Sequence, residues 1–309
     1  MGAKRILLGV VGDSAAGKTT ISRGIQEALG PERVTVVCTD DYHRYNRRQR
    51  REMGISALHP DCNYIDIIEQ HLRLLREGQP ILKPVYNHST GDFDPPVYVR
   101  PAEFVIVEGL LAFHTKAMRQ CFDVKVYLDP PEALRRVWKV KRDTAKRGYT
   151  VEEVLASLRK REGDSARFIR PQRRYADIVV RFYPPAGVAP EQANGHLNVR
   201  LVLRPTIPHP DMTTVLEPAD EGGQSAIRLS LGRDEGRPVE FLEIDGNVPP
   251  EKAADLERLI WHHIPEVADL RLERLGIYLN GLEERHSDPL ALVQLLIAYH
   301  LVAAQIGVE

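Results

Sequence analysis

Residues 12–19 read Gly-Asp-Ser-Ala-Ala-Gly-Lys-Thr and fit the pattern G-x-x-x-x-G-K-[ST]. An apolar run at 6–11 precedes them, and a helical pattern over 20–29 follows. A glycine-rich loop between a buried strand and a helix turns successive backbone N–H groups toward one phosphate chain, and the helix N-terminus adds partial positive charge. The segment therefore predicts a nucleoside triphosphate site. The alternative is a glycine turn that only joins a strand to a helix.

The chemistry of this phosphate loop gives roles to two of its side chains. Lys18 is expected to reach the β- and γ-phosphates, and the Thr19 hydroxyl is expected to ligate Mg²⁺. The residues expected to contact the nucleotide are Gly12, Asp13, Ser14, Ala15, Ala16, Gly17, Lys18, Thr19 and Thr20.

The charge of the chain is divided unevenly between its two parts. Residues 1–185 carry 32 Lys+Arg against 23 Asp+Glu, whereas residues 186–309 carry 10 against 20. The basic part contains the phosphate loop, which favours small polyanions as partners. Nucleic acid is the competing partner; it is disfavoured because aromatic residues make up only 6% of the chain and no RRM, KH or zinc-knuckle pattern occurs.

Cysteine usage and the start of the chain bear on the compartment. The three cysteines, Cys38, Cys62 and Cys121, show neither CxxC nor metal-ligand spacing, so a reducing cytoplasm is expected. The first residues, Met-Gly-Ala-Lys-Arg, lead directly into an apolar run, so no signal peptide is expected. We also expect no segment that approaches the ~20 apolar residues needed to cross a bilayer, and hence no membrane partner.

The first part of the chain alternates strand and helix patterns. Strands buried on both faces are predicted at 34–39, 104–107, 124–128 and 178–182. Helices are predicted at 64–76, at 131–147 and from Thr150, where Thr150-x-x-Glu153 forms a capping box. This order predicts an α/β fold with a mostly parallel sheet flanked by helices, and ligands at the carboxyl ends of the strands.

Near residue 185 the pattern changes to strict alternation. Leu197, Val199, Leu201 and Leu203 alternate with Asn198, Arg200 and Arg204. This run and those at 227–231 and 239–244 predict antiparallel strands with one wet face, followed by helices at 250–263 and 288–306. The chain therefore divides into a core at 1–185 and a C-terminal β/α extension at 186–309, which we expect to pack together as one compact unit.

Carboxylates follow two of the predicted buried strands. Glu108 closes the run at 104–107, where a metal or water ligand is expected; the alternative is a surface glutamate at a strand end. Asp40 and Asp41 follow the second strand and should face the phosphate loop. Either could accept a proton from an attacking hydroxyl or help to hold the metal, and the alternative is a pair of helix N-caps.

Three more segments carry candidate substrate contacts. Five arginines within 44–51 favour an anionic acceptor, since Arg binds phosphate well, although a charge run is usually a solvated face. A further basic group near the end of the 131–147 helix consists of Lys139, Lys141, Arg142, Lys146 and Arg147. Arg142-Asp143 and Arg147-Gly148 predict a mobile lid that brings arginines onto the transferred phosphate; the alternative is cations matched to the helix dipole. The polar stretch 83–91 predicts a substrate-facing loop.

Together these segments resemble the phosphoribulokinase/uridine kinase family, and within it the phosphoribulokinase branch in the form found in cyanobacteria and plants. The resemblance covers roughly residues 6–184 in the family's order and is faint beyond 190. It is carried by residues 12–19, Asp40-Asp41-Tyr42-His43 with Asn46-Arg47, Lys83-Pro84-x-Tyr86-Asn87-His88-x-Thr90-Gly91, Val107-Glu108-Gly109, Arg142-Asp143 with Arg147-Gly148, and Pro171-Gln172-Arg173 with Ala176-Asp177-Ile178.

The resemblance implies a P-loop kinase that transfers a phosphoryl group from ATP with Mg²⁺ to the C1 hydroxyl of ribulose 5-phosphate. It implies Asp40 as the base, Glu108 with Thr19 at the metal, and Asp143 as a second acidic candidate that is structural or metal-linked. The implied catalytic residues are Asp40, Lys18, Glu108, Arg142 and Asp143, and the implied sugar-phosphate contacts are His43, Arg47, Tyr86, His88, Lys139, Arg142 and Arg147. A homodimer is the implied assembly.

The sequence also departs from the family pattern and leaves other functions open. Ala16 stands where the thioredoxin-regulated form has a cysteine, and no cysteine follows Cys121, so no thiol switch of that kind is expected. A uridine kinase would share the phosphate loop and the lid, and a P-loop regulator would bind ATP without turnover. The acceptor segments at 43–47 and 86–88 favour a sugar phosphate, and intact Lys18, Asp40 and Glu108 favour catalysis.

Overall fold

The computed structural model describes residues 5–193, 195–212, 225–263, 271–280 and 283–307. The strands are β1 (Ile6–Gly12), β2 (Val34–Cys38), β3 (Ile81–Asn87), β4 (Asp92–Val99), β5 (Phe104–Gly109), β6 (Val124–Leu128), β7 (Ile178–Tyr183), β8 (Asn198–Leu203), β9 (Ile227–Asp234), β10 (Arg237–Ile244), β11 (Ile277–Asn280) and β12 (Glu283–His286). The α-helices are α1 (Lys18–Leu29), α2 (Arg47–Glu52), α3 (Ile65–Arg76), α4 (Lys116–Arg119), α5 (Glu132–Arg147), α6 (Val151–Asp164), α7 (Pro250–His262) and α8 (Asp288–Ile306).

Eight of these strands form one sheet with the order β2-β5-β1-β6-β7-β8-β10-β9. The first five in this order are mutually parallel, and β8, β10 and β9 continue the sheet in antiparallel fashion. The expected α/β fold, with a mostly parallel sheet extended by C-terminal antiparallel strands, is confirmed. The division at residue 185 stays a prediction.

Strand β1 lies in the middle of the parallel part and is buried along its whole length. Ile6, Leu8 and Val10 pack into a core shared with α1, α7 and α8, whereas Leu7 and Val11 pack into a second core with α3 and α4. Successive side chains of a strand point to opposite faces, so both faces must be covered. This is why the strand reads as a continuous apolar run.

Helix α8 corrects the expectation that no segment approaches membrane-spanning length. The helix has 19 residues, and an 18-residue window within it has a mean hydropathy of 1.7, so it is long and apolar enough by composition to cross a bilayer. In the structure 78% of this apolar window is buried, and the helix packs on α1, α7 and β1. Such burial is typical of the core helix of a globular protein.

Arg204 does not lie on a wet face, as the alternation had suggested. Its side chain is 1% exposed, donates to the carbonyl oxygens of Arg173 and Ala176 at 3.0 Å, and pairs with Asp234 at 2.7 Å. Val202 of β8 packs into the second core, so the other face of the strand is also covered at this end.

The stretch 83–91 is not a loop, because most of it belongs to β3, which pairs with β4 as an antiparallel hairpin separate from the main sheet. Pro84 had suggested a loop because it lacks the N–H that a ladder requires. It is accommodated at a register irregularity between Lys83 and Val85, a position where strands tolerate proline.

Candidate active site

The phosphate loop connects β1 to α1 and adopts unusual backbone angles. Ala15 has a φ of 64° and Gly17 a φ of 99°, so the loop contains a non-glycine residue in the left-handed region. Such conformations cluster at functional sites. The Lys18 ammonium donates to the carbonyl oxygens of Gly12 and Asp13, each at 3.0 Å, and thus lies across the loop.

The Asp13 side chain anchors the loop rather than facing a nucleotide. Its carboxylate accepts from the Ser14 backbone N–H at 2.7 Å and from the Ser165 hydroxyl, and it lies 3.6 Å from a guanidinium nitrogen of Arg135. Ser165 begins a π-helical turn that follows α6, a feature often found at functional sites. Any contact of Asp13 with a nucleotide would therefore come from its backbone.

Thr19 and Glu108 meet at the carboxyl end of the parallel strands. The Thr19 hydroxyl donates to Glu108 Oε1 at 2.9 Å, and the side chain of Glu108 is 7% exposed. Its second oxygen, Oε2, is buried and has no hydrogen-bond partner among the described residues. A buried, unsatisfied carboxylate oxygen beside a hydroxyl fits a hard cation such as Mg²⁺.

No group of three or more His, Cys, Asp or Glu side chains that could hold a metal occurs within the described parts of the chain. Mg²⁺ does not need one, because it is usually bound through one or two protein oxygens together with substrate phosphates and water. The donor set of Thr19 and Glu108 is consistent with that kind of site.

The two adjacent aspartates have different surroundings. Asp41 pairs with the Lys83 ammonium and accepts from the Tyr86 backbone N–H at 3.2 Å. Asp40 is half-buried and lines the large cavity in front of the phosphate loop. Asp41 therefore ties the turn after β2 to the β3–β4 hairpin, and Asp40 is the carboxylate that faces open space.

His43 is held as an uncharged imidazole. It is 3% exposed, and its Nδ1 lies 2.8 Å from the Asn63 side-chain oxygen. Its ring lies edge-on to the Tyr86 ring, with 4.8 Å between the two ring centroids. Burial, followed by repulsion from Arg50, lowers the pKa of His43 to about 4. His43 can thus exchange a hydrogen bond with a substrate at neutral pH but brings no positive charge.

Arginines surround the same end of the cavity. Arg47 donates to the His88 carbonyl oxygen, and Arg50 donates to the Tyr86 hydroxyl at 2.6 Å while lying over that ring. Arg161 on α6 also lines the cavity, and burial together with the nearby Arg50 lowers its pKa. Concentrated guanidinium charge of this kind suits a phosphate group.

Arg161 was missed by sequence reasoning because no motif surrounds it. Arg50 belonged to the arginine-rich run at 44–51 but was not singled out there. The capping box of Asn46 and Gln49, visible in the sequence, starts the short α2 that orients this run.

The basic residues of α5 converge on Asp143, which is 3% exposed. It accepts from Lys139 at 2.7 Å and from Arg142 at 2.8 Å, and Arg147 lies 3.5 Å away. Burial alone would raise its pKa, but Arg142 and Lys139 hold the pKa of Asp143 below its usual range. Its carboxylate is fully engaged, as suits a group that positions three cations rather than a free base.

These parts line a single cavity of about 960 Å³. Gly12 and Asp13 do not line it. The other residues expected from the sequence do: Ser14, Ala15, Ala16, Gly17, Lys18, Thr19, Thr20, Asp40, His43, Arg47, Tyr86, His88, Glu108, Lys139, Arg142, Asp143 and Arg147. The cavity therefore brings together the phosphate loop, the carboxylates of Asp40 and Glu108, and a basic end suited to an acceptor.

Residues 7–189 match the model of the phosphoribulokinase / uridine kinase family. The chain belongs to this family. It is 37% identical to the phosphoribulokinase of Synechocystis sp. over 78% of this chain and 76% of that protein. It is 29% identical to a uridine kinase of Geobacillus sp. over 66% of this chain and 94% of that protein.

Among solved structures, the phosphoribulokinase from Rhodobacter spheroides superposes with a TM-score of 0.58 at 19% identity, covering 84% of this chain and 98% of that one. At this identity the match supports the fold, including strands beyond residue 189, where the family model ends.

Proposed function

We propose that this protein transfers the γ-phosphoryl group of ATP to the C1 hydroxyl of ribulose 5-phosphate, giving ribulose 1,5-bisphosphate and ADP. The observation that carries the proposal is the juxtaposition in one cavity of the phosphate loop, Asp40 and a basic acceptor end formed by Arg47, Arg50 and Arg161. A sugar phosphate has the negative charge that this end would bind, whereas uridine has none.

The relatives support the same choice of acceptor. The Synechocystis phosphoribulokinase matches more of this chain, and at higher identity, than the Geobacillus uridine kinase. The sequence of the acceptor segments had favoured a sugar phosphate for the same reason, because a neutral nucleoside has no need of an arginine cluster.

In this mechanism Asp40 accepts the proton of the C1 hydroxyl as the oxygen attacks the γ-phosphorus. A new O–P bond forms, the bond between the γ-phosphorus and the bridging oxygen breaks, and that oxygen leaves with ADP. Asp40 suits this role because its neighbour Asp41 is already paired with Lys83. Lys18 and the cations of α5 would stabilise charge on the transferred group.

Mg²⁺, when bound with ATP, would neutralise charge on the β- and γ-phosphates. Thr19 and Glu108 are the residues that would hold it. Asp143 would keep Lys139, Arg142 and Arg147 directed at the transferred group, since it contacts all three.

The test is a coupled assay of ADP release with Mg²⁺ and ATP, comparing ribulose 5-phosphate with uridine at equal concentration. Rapid turnover with ribulose 5-phosphate alone is expected. Turnover with uridine alone would retain the phosphoryl-transfer chemistry but overturn the assignment of the acceptor. No turnover with either, together with measurable ATP binding, would favour a non-catalytic ATP-binding protein.

We also propose a cytoplasmic, homodimeric enzyme. All three cysteines lie in the described part of the chain and are free thiols, as suits a reducing compartment. The dimer rests on the family resemblance, and light scattering after size exclusion would measure it directly.

A further inference from the structure

The last residue of α6 and the first residue of the π-helical turn after it contact two different parts of the active site. Asp164 ends α6, and its Oδ2 accepts a hydrogen bond from the Ser56 hydroxyl at 2.6 Å. Ser165, the next residue, donates from its own hydroxyl to Asp13 Oδ2. Two adjacent residues at one helical junction therefore join the segment after α2 to the phosphate loop.

The Asp13 side of this junction is buried against the phosphate loop. Ser165 is 2% exposed and Asp13 is 8% exposed. The other carboxylate oxygen of Asp13 accepts from the Ser14 N–H at 2.7 Å, and the Asp13 carbonyl oxygen accepts from Lys18 at 3.0 Å. A buried hydroxyl and its acceptor cannot exchange each other for bulk water without cost. A shift of Ser165 would therefore displace Asp13 and the loop to which it belongs.

The Ser56 side of the junction leads to the basic acceptor end. Ser56 and Ala57 both line the cavity. The Ala57 carbonyl oxygen accepts from the side-chain nitrogen of Asn63 at 3.1 Å, and the oxygen of the same amide lies 2.8 Å from His43 Nδ1. His43 is one of the groups expected to contact the acceptor. A displacement of Ser56 would therefore reach that contact through two hydrogen bonds.

Helix α6 itself forms part of the cavity wall between the two ends. It packs on α5, and Ser157, Lys160 and Arg161 line the cavity from its surface. Arg161 lies within one turn of Asp164, and residues of an α-helix move together because backbone hydrogen bonds join each turn to the next. A helix displaced through Ser165 would therefore also move a guanidinium of the acceptor end.

We propose that Asp164 and Ser165 are positioning residues that couple the two ends of the cavity, so that a nucleotide on the phosphate loop orders the acceptor end. A bound phosphate chain fixes the loop and with it Asp13, and the junction of α6 transmits this to Ser56. Such coupling is reciprocal, so an acceptor must strengthen nucleotide binding by the same factor. This inference rests on the proposed function only for the identity of the acceptor.

The first test is hydrogen exchange of the full chain, measured by mass spectrometry with and without saturating ADP and Mg²⁺. In the wild type, ADP should slow exchange about five-fold or more both at 12–20 and at 55–63. Ser165→Ala should retain the slowing at 12–20 and lose it at 55–63, because the loop still binds phosphate but the link is broken. No slowing at 55–63 in the wild type, or equal behaviour of the two segments in the variant, would overturn the proposal.

Ser56 tests the other end of the same link. Ser56→Ala should reproduce the pattern of Ser165→Ala, and Ser56→Thr, which keeps a hydroxyl, should retain the wild-type pattern. Thr206→Ala is the matched control, because the Thr206 hydroxyl also donates to an aspartate, Asp177, at 2.7 Å, and neither residue lines the cavity. It should leave the effect of ADP unchanged. Loss of the slowing at 55–63 in this control as well would contradict the assignment to the α6 junction.

Isothermal titration calorimetry measures the reciprocal effect. Saturating ribulose 5-phosphate should lower the Kd for ADP with Mg²⁺ about five-fold or more in the wild type, and less than about two-fold in Ser165→Ala. ADP has no γ-phosphoryl group to transfer, so no turnover occurs. Equal strengthening in both proteins would contradict the coupling. A wild type that binds no ribulose 5-phosphate would refute the proposed acceptor, whereas hydrogen exchange, which needs no acceptor, would still decide on the coupling.

Discussion

The Thr19 hydroxyl donates a 2.9 Å hydrogen bond to Glu108 Oε1, and this bond joins the first turn of α1 to the end of β5. The two residues are 89 positions apart in sequence. They meet because β1 and β5 are adjacent and parallel, so the loops at their carboxyl ends share one edge of the sheet. The contact leaves Glu108 Oε2 buried and without a hydrogen-bond partner among the described residues. This arrangement is unfavourable for stability but fits the binding of a cation.

Glu108→Gln should lower kcat by on the order of 100-fold, because an amide keeps the shape of the side chain but loses the charge that holds a metal. The Mg²⁺ concentration that gives half-maximal rate should rise. Initial rates measured against free Mg²⁺ at saturating ATP check this. The variant should unfold at the wild-type temperature or above, and an unchanged Mg²⁺ dependence would remove Glu108 from the metal site.

Asp40→Asn and Asp41→Asn should separate catalysis from stability. Asp40→Asn should lower kcat by on the order of 10³ while the Kd for ADP stays unchanged, because only the proton acceptor is lost. Asp41→Asn should reduce the free energy of unfolding by about 1–3 kcal/mol through loss of its partly buried ion pair with Lys83, with a much smaller effect on kcat. The reverse pattern would exchange their roles.

Arg47→Ala should raise the KM for ribulose 5-phosphate about ten-fold or more and change kcat less, because it removes binding to a phosphate that does not react. Arg48→Ala is the matched control. The Arg48 side chain is 82% exposed and lies 3.8 Å from Glu52 on the same short helix. Steady-state kinetics in which both variants behave alike would place Arg47 on a solvated face.

The parallel part of the fold could be predicted because its strands are buried on both faces and read as unbroken apolar runs. The β3–β4 hairpin could not, since β4 is mostly exposed and carries two prolines, and its partner contains Pro84. Arg204 was predicted to be exposed but is buried. Its partner Asp234 lies on a different strand, and alternation along one strand does not show what covers it.

The same distinction applies to the site. Lys18 could be found from its motif, and Asp40 and Glu108 could be found because each stands at the carboxyl end of a buried strand, where such ends meet at one edge of the sheet. Arg161 reaches the cavity from α6, whose position depends on tertiary packing. Nothing in its local sequence indicates that packing.

A buried histidine pair predicts how stability depends on pH. His300 Nε2 lies 3.2 Å from His209 Nδ1, and burial, with repulsion from His209, lowers the pKa of His300 to about 3. In the unfolded chain the pKa of His300 is about 6.5. Between pH 6.5 and 3 the unfolded state therefore binds more protons than the folded state, and the free energy of unfolding falls as pH falls. At pH 5 this costs about 2 kcal/mol.

Urea unfolding at pH 7 and pH 5 checks this expectation. The loss of unfolding free energy between the two values should be about 2 kcal/mol larger for the wild type than for His300→Gln, because glutamine does not titrate. Equal losses would show that His300 is not the group responsible.

Lys139 predicts an alkaline limit to activity. Its ammonium is 3% exposed, and burial, partly offset by Asp143, lowers the pKa of Lys139 to about 8. As pH rises through 8, the free enzyme loses this charge and binds the triphosphate less well. The profile of kcat/KM for ATP reports the free enzyme, so it should fall above pH 8. Lys139→Arg keeps its charge and should move this fall to higher pH; an identical profile in the variant would assign the limit to another group.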